Sequence, residues 1–273
     1  AIVARNLVRG RGWVVDYISQ FYYPYDSLTR PQETWPLLQP VWIAPFFALF
    51  GPTAWAAKIP NFIFDVILIV LIYAVGSRWW DRRVGVTAAV LVLTNYLFFR
   101  LSIYVTNDLA FVVFSMAAMA ALLQSHTDPA RQWRWLVISA VCTGLMMLQK
   151  PSGAMFALGM GLWQLTILAN HLRMAGDWQQ RWQRLRIGLT PIVVWSAIAL
   201  LILSPYLVRN LILFGKPVYS TESYDAWVLD YRGVSGDAWS EIYRVFAPEW
   251  GGPGLPDRSW ILRWGFDATF TKF

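Results

Sequence analysis

The sequence predicts an all-α polytopic membrane protein: about six transmembrane helices, one juxtamembrane helix, and extracytoplasmic N- and C-terminal segments. Three observations carry that expectation. The 273 residues are 57% hydrophobic with a mean hydropathy of +0.42, too oily for a soluble globule of that length. Charged residues make up 14%, against about 25% in soluble domains. Six stretches approach the roughly 20 apolar residues that cross a hydrocarbon core about 30 Å thick.

Three regions follow in order. Residues 1–58 form an extracytoplasmic loop that includes a 14-residue apolar run from Leu37 to Phe50, with Pro40 and Pro45 inside it and Gly51-Pro52 after it. That length suits a helix lying at the membrane surface better than a span. Residues 59–207 hold the six spans, at 59–77, 84–104, 109–124, 133–149, 152–169 and 187–207. Residues 208–273 turn polar, with seven Lys and Arg, eight Asp and Glu and five Trp. The chain starts at Ala1 without a start Met and stops at Phe273, so both ends are expected to continue beyond it.

Basic residues set the orientation, because Lys and Arg in short loops stay in the cytoplasm. Alternate loops carry Arg78, Arg82 and Arg83, then Arg131 and Arg134, then Arg173, Arg181, Arg184 and Arg186; the connections between them carry only Arg100 and Lys150. Both ends of the chain are therefore expected outside. Trp79, Trp80, Trp133 and Trp135 fall at cytoplasmic ends, where indoles join the headgroup belt. The net charge of +7 records these loops and argues against a nucleic-acid partner. The run from Trp178 to Arg186, which alternates bases with aromatics, reads as an interfacial helix on anionic lipid. One cysteine, Cys142, excludes a disulfide framework within the chain, and two histidines, His126 and His171, are too few for a His-rich metal site.

An informative set of polar residues falls on the outer side. Thr29-Arg30-Pro31-Gln32-Glu33-Thr34-Trp35-Pro36 brings a Glu and an Arg to the membrane surface, stiffened by its prolines. Glu33 is either a solvated loop carboxylate or a functional one. Thr106-Asn107-Asp108 opens the third span. Asn107 and Asp108 either cap that helix or present a carboxylate facing Glu33 to a cation or a sugar hydroxyl. Lys150, before Pro151, either snorkels to lipid or binds a phosphate as a point charge. Arg209 either anchors the sixth span or offers a bidentate fork to the same phosphate. Asp65 lies inside the first span, where a carboxylate is costly; pairing with Asn61 or Lys58 is the economical reading. Met146, Met147, Met155 and Met160 read as core or lipid-facing residues.

The order of these pieces resembles the membrane glycosyltransferases of the C superfamily, in particular the protein mannosyltransferase-like and aminoarabinose-transferase-like enzymes. The resemblance rests on Ala4-Arg5-Asn6-Leu7-Val8-Arg9-Gly10, the Glu33 segment, Phe50-Gly51-Pro52 and Ala56-Ala57-Lys58-Ile59-Pro60. It continues through Tyr104-Val105-Thr106-Asn107-Asp108, the run from Gly144 to Pro151, and Ser204-Pro205-Tyr206-Leu207-Val208-Arg209-Asn210 with Phe214-Gly215-Lys216-Pro217-Val218, covering residues 1–220.

The resemblance implies sugar transfer from a polyprenyl-phosphate donor at the outer membrane face, in a bacterial inner membrane. Glu33 and Asp108 would supply catalytic carboxylates around the acceptor or a divalent metal. Arg30, Tyr104, Asn107, Lys150 and Arg209 would bind substrate, with Lys150 and Arg209 at the phosphate, and an outer apolar groove would hold the lipid chain. The family's principal acid, in an Asp-Glu pair, would fall upstream of Ala1, and Asp16 and Asp26 lie too far along to replace it by position. That departure keeps a second reading open, a non-catalytic structural or assembly subunit of a larger membrane complex. A transporter built on Asp65 is the poorer alternative, since paired broken helices and repeat halves are not evident. Tyr, Trp and Asp between Tyr224 and Trp239 form either a surface loop or a carbohydrate contact.

Overall fold

The computed structural model describes residues 1–18, 27–33, 37–174 and 176–219. In chain order these form α1 (Ile2–Val8), β1 (Val14–Asp16), β2 (Thr29–Pro31), α2 (Leu38–Phe50), α3 (Ala54–Trp79), α4 (Arg82–Leu93), α5 (Tyr96–Ile103), α6 (Asp108–Thr127), a 3₁₀ turn (Pro129–Arg131), α7 (Gln132–Gln149), α8 (Gly153–Arg173) and α9 (Trp178–Phe214). The expectations for Asp26 and for the segment from Tyr224 to Trp239 fall outside the described residues.

Among the described residues, length and composition qualify four helices as membrane spans, α3, α6, α8 and α9, and a fifth if α4 and α5 count as one bent span. Two of the six expected spans therefore look different in the structure. The stretch 84–104 is broken, with a 60° bend between α4 and α5. Its cause is local: Asn95 Oδ1 accepts the N–H groups of Leu97 at 2.9 Å and Phe98 at 3.3 Å, and so caps a new helix inside the apolar run. α7 is the other, because Gln132, Arg134 and Gln149 at its ends, with Ser139 and Thr143 between them, dilute the apolar character of its 18 residues. It nevertheless runs antiparallel to α6 along its length. Asp108, the first residue of α6, meets Lys150 just after α7, and Ser139 Oγ donates to the Ala118 carbonyl at 2.8 Å midway.

Ser139 is fully buried and also accepts from Trp195 Nε1 of α9 at 3.0 Å. This relay satisfies polar groups that have no water to turn to and sits in the main apolar cluster of Phe111, Ala118, Leu122, Leu136, Ala140, Met146, Met160 and Trp195. Met146 and Met160 are buried while Met155 is exposed, as core and lipid-facing methionines should be. α9 has 37 residues, about 55 Å at helical rise, so it extends past the expected span 187–207 at both ends. It starts on Asp177, whose side chain accepts from the N–H of Gln180, and ends at Gly215, where φ is 68°.

α3 and α4 approach through glycines. A Cβ on Gly85 would run into Ser77 Oγ and lie 2.7 Å from the Tyr73 carbonyl, whereas one on Gly159 would meet nothing within 4 Å. Gly85→Val is therefore expected to cost about 1–3 kcal/mol by forcing these helices apart. Gly159→Ala should leave stability unchanged or raise it, by up to about 1 kcal/mol. Melting of both variants in detergent tests this, and equal melting temperatures would refute it.

The N-terminal segment adds α1 and a small antiparallel hairpin, with Val15 opposite Arg30 and Asp16 opposite Thr29. Buried Asn6 holds them together, donating through Nδ2 to the Val14 carbonyl and to Asp16 Oδ2, both at 3.0 Å. The Asn6 amide holds the Asp16 carboxyl below the usual aspartate range, with Thr29, Arg11 and Arg5 adding to the effect and burial opposing it. A lowered native pKa means that Asp16 stabilises the hairpin fully above the ordinary aspartate value and loses that contribution as pH falls towards the native one. Hydrogen exchange of the hairpin, corrected for intrinsic rates, should accelerate across that acid window, and Asn6→Ala should flatten the dependence.

Candidate active site

Among the described residues, one set of polar side chains gathers at the end of the bundle where α5, α7 and α9 finish and α3, α6 and α8 begin. α6 brings Asp108 there on its first residue, and the turn between α7 and α8 brings Lys150. Lys150 Nζ lies 2.6 Å from Asp108 Oδ1, and the Thr106 hydroxyl donates to Asp108 Oδ2 at 2.6 Å. The turn is tight: a Cβ on Gly153 would lie 2.8 Å from the Met146 carbonyl, so a glycine is needed there. Lys150 and Asp108 keep 39% and 34% of their side chains exposed, so a ligand has access to both.

Beneath this pair lies a buried knot of amides. Gln149 is 0%, Asn61 1% and Gln39 7% exposed. Gln149 Oε1 accepts from Trp42 Nε1 at 3.1 Å, and its Nε2 donates to Gln39 Oε1 at 2.8 Å and to the Asn107 carbonyl at 3.4 Å. Asn107 Nδ2 returns a bond to the Gln149 carbonyl at 3.3 Å. Gln39 Nε2 donates to Asn61 Oδ1 at 3.3 Å, and Asn61 Nδ2 donates to the Tyr104 carbonyl at 2.6 Å. Asn107 thus makes no side-chain cap for its own helix; it bonds the end of α7 instead. Tyr104 joins through its backbone, while its exposed ring lies against Arg100. Asp65 does not pair with Asn61 or Lys58: its partner is the Ser102 hydroxyl, and its Oδ1 is buried without a hydrogen bond among the described residues.

The second cluster is built on the hairpin. Arg30 Nε donates to Glu33 Oε1 at 3.0 Å, with side chains only 8% and 11% exposed. Arg30 Nη1 donates to the Tyr17 carbonyl at 2.7 Å, so the guanidinium is directed at the hairpin and at Glu33. Glu33 Oε2 is buried and has no hydrogen-bond partner among the described residues. Burial pushes the Glu33 carboxyl above the usual glutamate range, and the Arg30 charge and hydrogen bond only partly offset it. Arg209, near the end of α9, donates from Nη2 to the Gln32 carbonyl at 2.8 Å and from Nη1 to Asn210 Oδ1 at 3.1 Å. It fastens the Glu33 segment to the bundle.

Both clusters share the rim, joined by Leu37, Leu203 and Tyr206 packed on Met147, Leu148 and Leu207. No hydrogen bond or ion pair joins Glu33 to Asp108 among the described residues; each carboxylate bonds its own cation. The described residues contain no group of three or more His, Cys, Asp and Glu fit to hold a metal, and an ammonium occupies the near side of Asp108. Two carboxylates, each bonded to its own cation, do not make a divalent-ion site among the described residues.

Lys150 stands beside a residue that lines an apolar trough. Its Nζ is 5.8 Å from the centre of the Phe111 ring, which lines a cleft of 430 Å³ between α3, α6 and α8. That cleft shares Met119, Leu123 and Phe156 with a neighbouring one of 490 Å³ that reaches Trp163.

A helical bundle of membrane length, with acids and cations gathered at one rim above an apolar trough, has the build of a membrane-embedded glycosyltransferase of the C type. The family model of dolichyl-phosphate-mannose-protein mannosyltransferases matches residues 35–208, and the chain belongs to that family, as an integral membrane protein. No curated protein and no solved structure matches it significantly.

Sequence reasoning missed Gln39, Trp42 and Gln149. A signal was present, since Gln39 and Gln149 are amides at the ends of apolar runs, but nothing in their spacing says that they meet.

Proposed function

We propose that the chain transfers a sugar from a polyprenyl-phosphate donor to an acceptor at the outer face of a bacterial inner membrane. The observation that carries this reading is the Lys150–Asp108 pair, whose lysine stands against the Phe111 ring of an apolar trough, on the same rim as a buried carboxylate with an oxygen unpartnered among the described residues. The lipid chain lies in the trough, and its phosphate meets Lys150. An ammonium has three donors, of which Asp108 takes one, leaving two for the phosphate oxygens. Asp108 orients the lysine. Arg209 supplies a second cation and holds the Glu33 segment in place.

In the reaction, the acceptor oxygen attacks the anomeric carbon as the bond from that carbon to the phosphate oxygen breaks. The electron pair leaves with the phosphate, where Lys150 offsets the growing charge. The acceptor proton passes to Glu33 Oε2, a base made stronger by burial. In this reading α7 and the bent α4–α5 pair complete six spans, placing residues 1–58 and the chain after α9 outside.

Transfer from a polyprenyl-phosphate sugar by the purified full-length gene product, beside Asp108→Asn, tests the proposal. Asp108→Asn is expected to lose roughly 10²-fold or more of the activity. Absence of transfer by the natural protein across several sugars, with a firmly bound complex recovered, would favour the assembly-subunit reading.

A further inference from the structure

The opposite end of the bundle carries a feature that sugar transfer does not use. The end of α8 and the start of α9 enclose a cleft of 540 Å³ lined by Leu172, Arg173, Trp178, Arg181, Trp182 and Leu185. Its geometry is fixed from both sides. Arg184 Nη1 reaches from α9 to the His171 carbonyl of α8 at 3.0 Å, and the Trp178 and Trp182 rings meet edge to face at 5.7 Å between centroids. Both indoles are exposed.

The charge around this cleft is unbalanced. Asp177 is the one acid between positions 129 and 219, and its Oδ1 is spent on the Gln180 N–H at the start of α9. Among the described residues, Arg173 and Arg181 make no ion pair. Two guanidiniums from different helices therefore flank an apolar floor of leucines and indoles, where the amphipathic chain leaves the hydrocarbon. That combination demands a ligand with an anionic head and an apolar body.

We propose that this cleft binds an anionic glycerophospholipid of the arginine-rich leaflet. Its phosphodiester lies between Arg173 and Arg181, and an acyl chain lies along Leu172, Leu185 and the two indoles. A basic residue at an anionic membrane surface contributes about five-fold in binding, so the two arginines set a preference of one to two orders of magnitude over a zwitterionic lipid. The site is independent of the catalytic reading, since it lies at the other end of the bundle.

The test uses the full-length protein in phosphatidylcholine nanodiscs doped with acyl-brominated phosphatidylglycerol or, separately, acyl-brominated phosphatidylcholine. Subtracting the quenching seen in a Trp178→Phe, Trp182→Phe double variant isolates the signal of these two indoles. The phosphatidylglycerol probe is expected to quench that signal at a mole fraction at least about ten-fold lower. Arg173→Gln with Arg181→Gln should abolish the preference, and the corresponding pair of Lys substitutions should retain most of it. Equal quenching by both probes, or a preference that survives the double Gln variant, would overturn the proposal. So would quenching by phosphatidylglycerol that inorganic phosphate abolishes at constant ionic strength, since the cleft would then be a site for the free ion.

Discussion

Replacing Glu33 by Gln is expected to lower the rate of glycosyl transfer by roughly 10²- to 10⁴-fold, the contribution of a well-placed general base, while the protein stays folded. The substitution is conservative where the fold needs it. An amide oxygen at the Oε1 position still accepts from Arg30 Nε, so the nearly buried guanidinium keeps that bond and its bond to the Tyr17 carbonyl. What disappears is the proton affinity of Oε2, the oxygen that no donor among the described residues engages. The pH profile adds a sign. Because burial raises the Glu33 pKa, the acidic limb of kcat/KM should lie above the ordinary glutamate range, with activity rising as the carboxylate forms. The Gln variant should lose that limb.

Linkage predicts the opposite trend in stability. A carboxyl whose native pKa is raised stabilises the fold while protonated, and that contribution declines as pH climbs from the ordinary value to the native one. Rate and stability should therefore move in opposite directions over one pH window, measured by initial rates and by melting in detergent. An acidic limb at the ordinary glutamate position, or one that persists in Glu33→Gln, would remove Glu33 from the role of base.

The membrane character, the helical class and the rim location of Asp108, Lys150 and Arg209 were legible because apolar run length and loop charge are local properties of a chain in a bilayer. Lys150 and Asp108 fall at helix ends in the sequence, and the antiparallel course of α6 and α7 brings those ends together. The partner of each group was not legible. Asn107 before Asp108 reads as a cap, yet its amide crosses to α7. Arg30 reads as a substrate cation, yet its Nε is bonded to Glu33 three residues on. Asp65 reads as a partner for Asn61, yet α2 brings Gln39 to Asn61 first. In each case a contact distant in sequence or a backbone turn supplied a competing partner, and periodicity carries no information about either. The break at Asn95 was readable in principle, since an Asn inside an apolar run is a helix start signal.

The amide knot leads to the second large effect. Gln149→Leu keeps the side-chain volume roughly constant but removes three hydrogen bonds made by one side chain. Trp42 Nε1 loses its acceptor and Gln39 Oε1 its donor, in surroundings that water does not reach. Each buried polar group left unpaired costs about 1–3 kcal/mol, so the variant should lose roughly 2–6 kcal/mol of stability. The position also matters for transfer. Gln149 immediately precedes Lys150, and its bonds to Asn107 fix the end of α7 against the start of α6, where Asp108 stands. Loosening that junction frees the ammonium from its place beside the trough, so kcat should fall more than KM rises, by at least ten-fold, if an error of about 1 Å in placing a catalytic group costs as much as 10²-fold. Reductive methylation of Lys150, followed by mass spectrometry, reports the geometry without relying on turnover. Methylation should be faster in Gln149→Leu than in the natural protein, and unchanged in Gly85→Val, which destabilises the bundle elsewhere. If Gln149→Leu melted lower but methylated Lys150 at the natural rate and kept its kcat, the knot would serve the fold alone, and Gln149 would have no part in positioning the lysine.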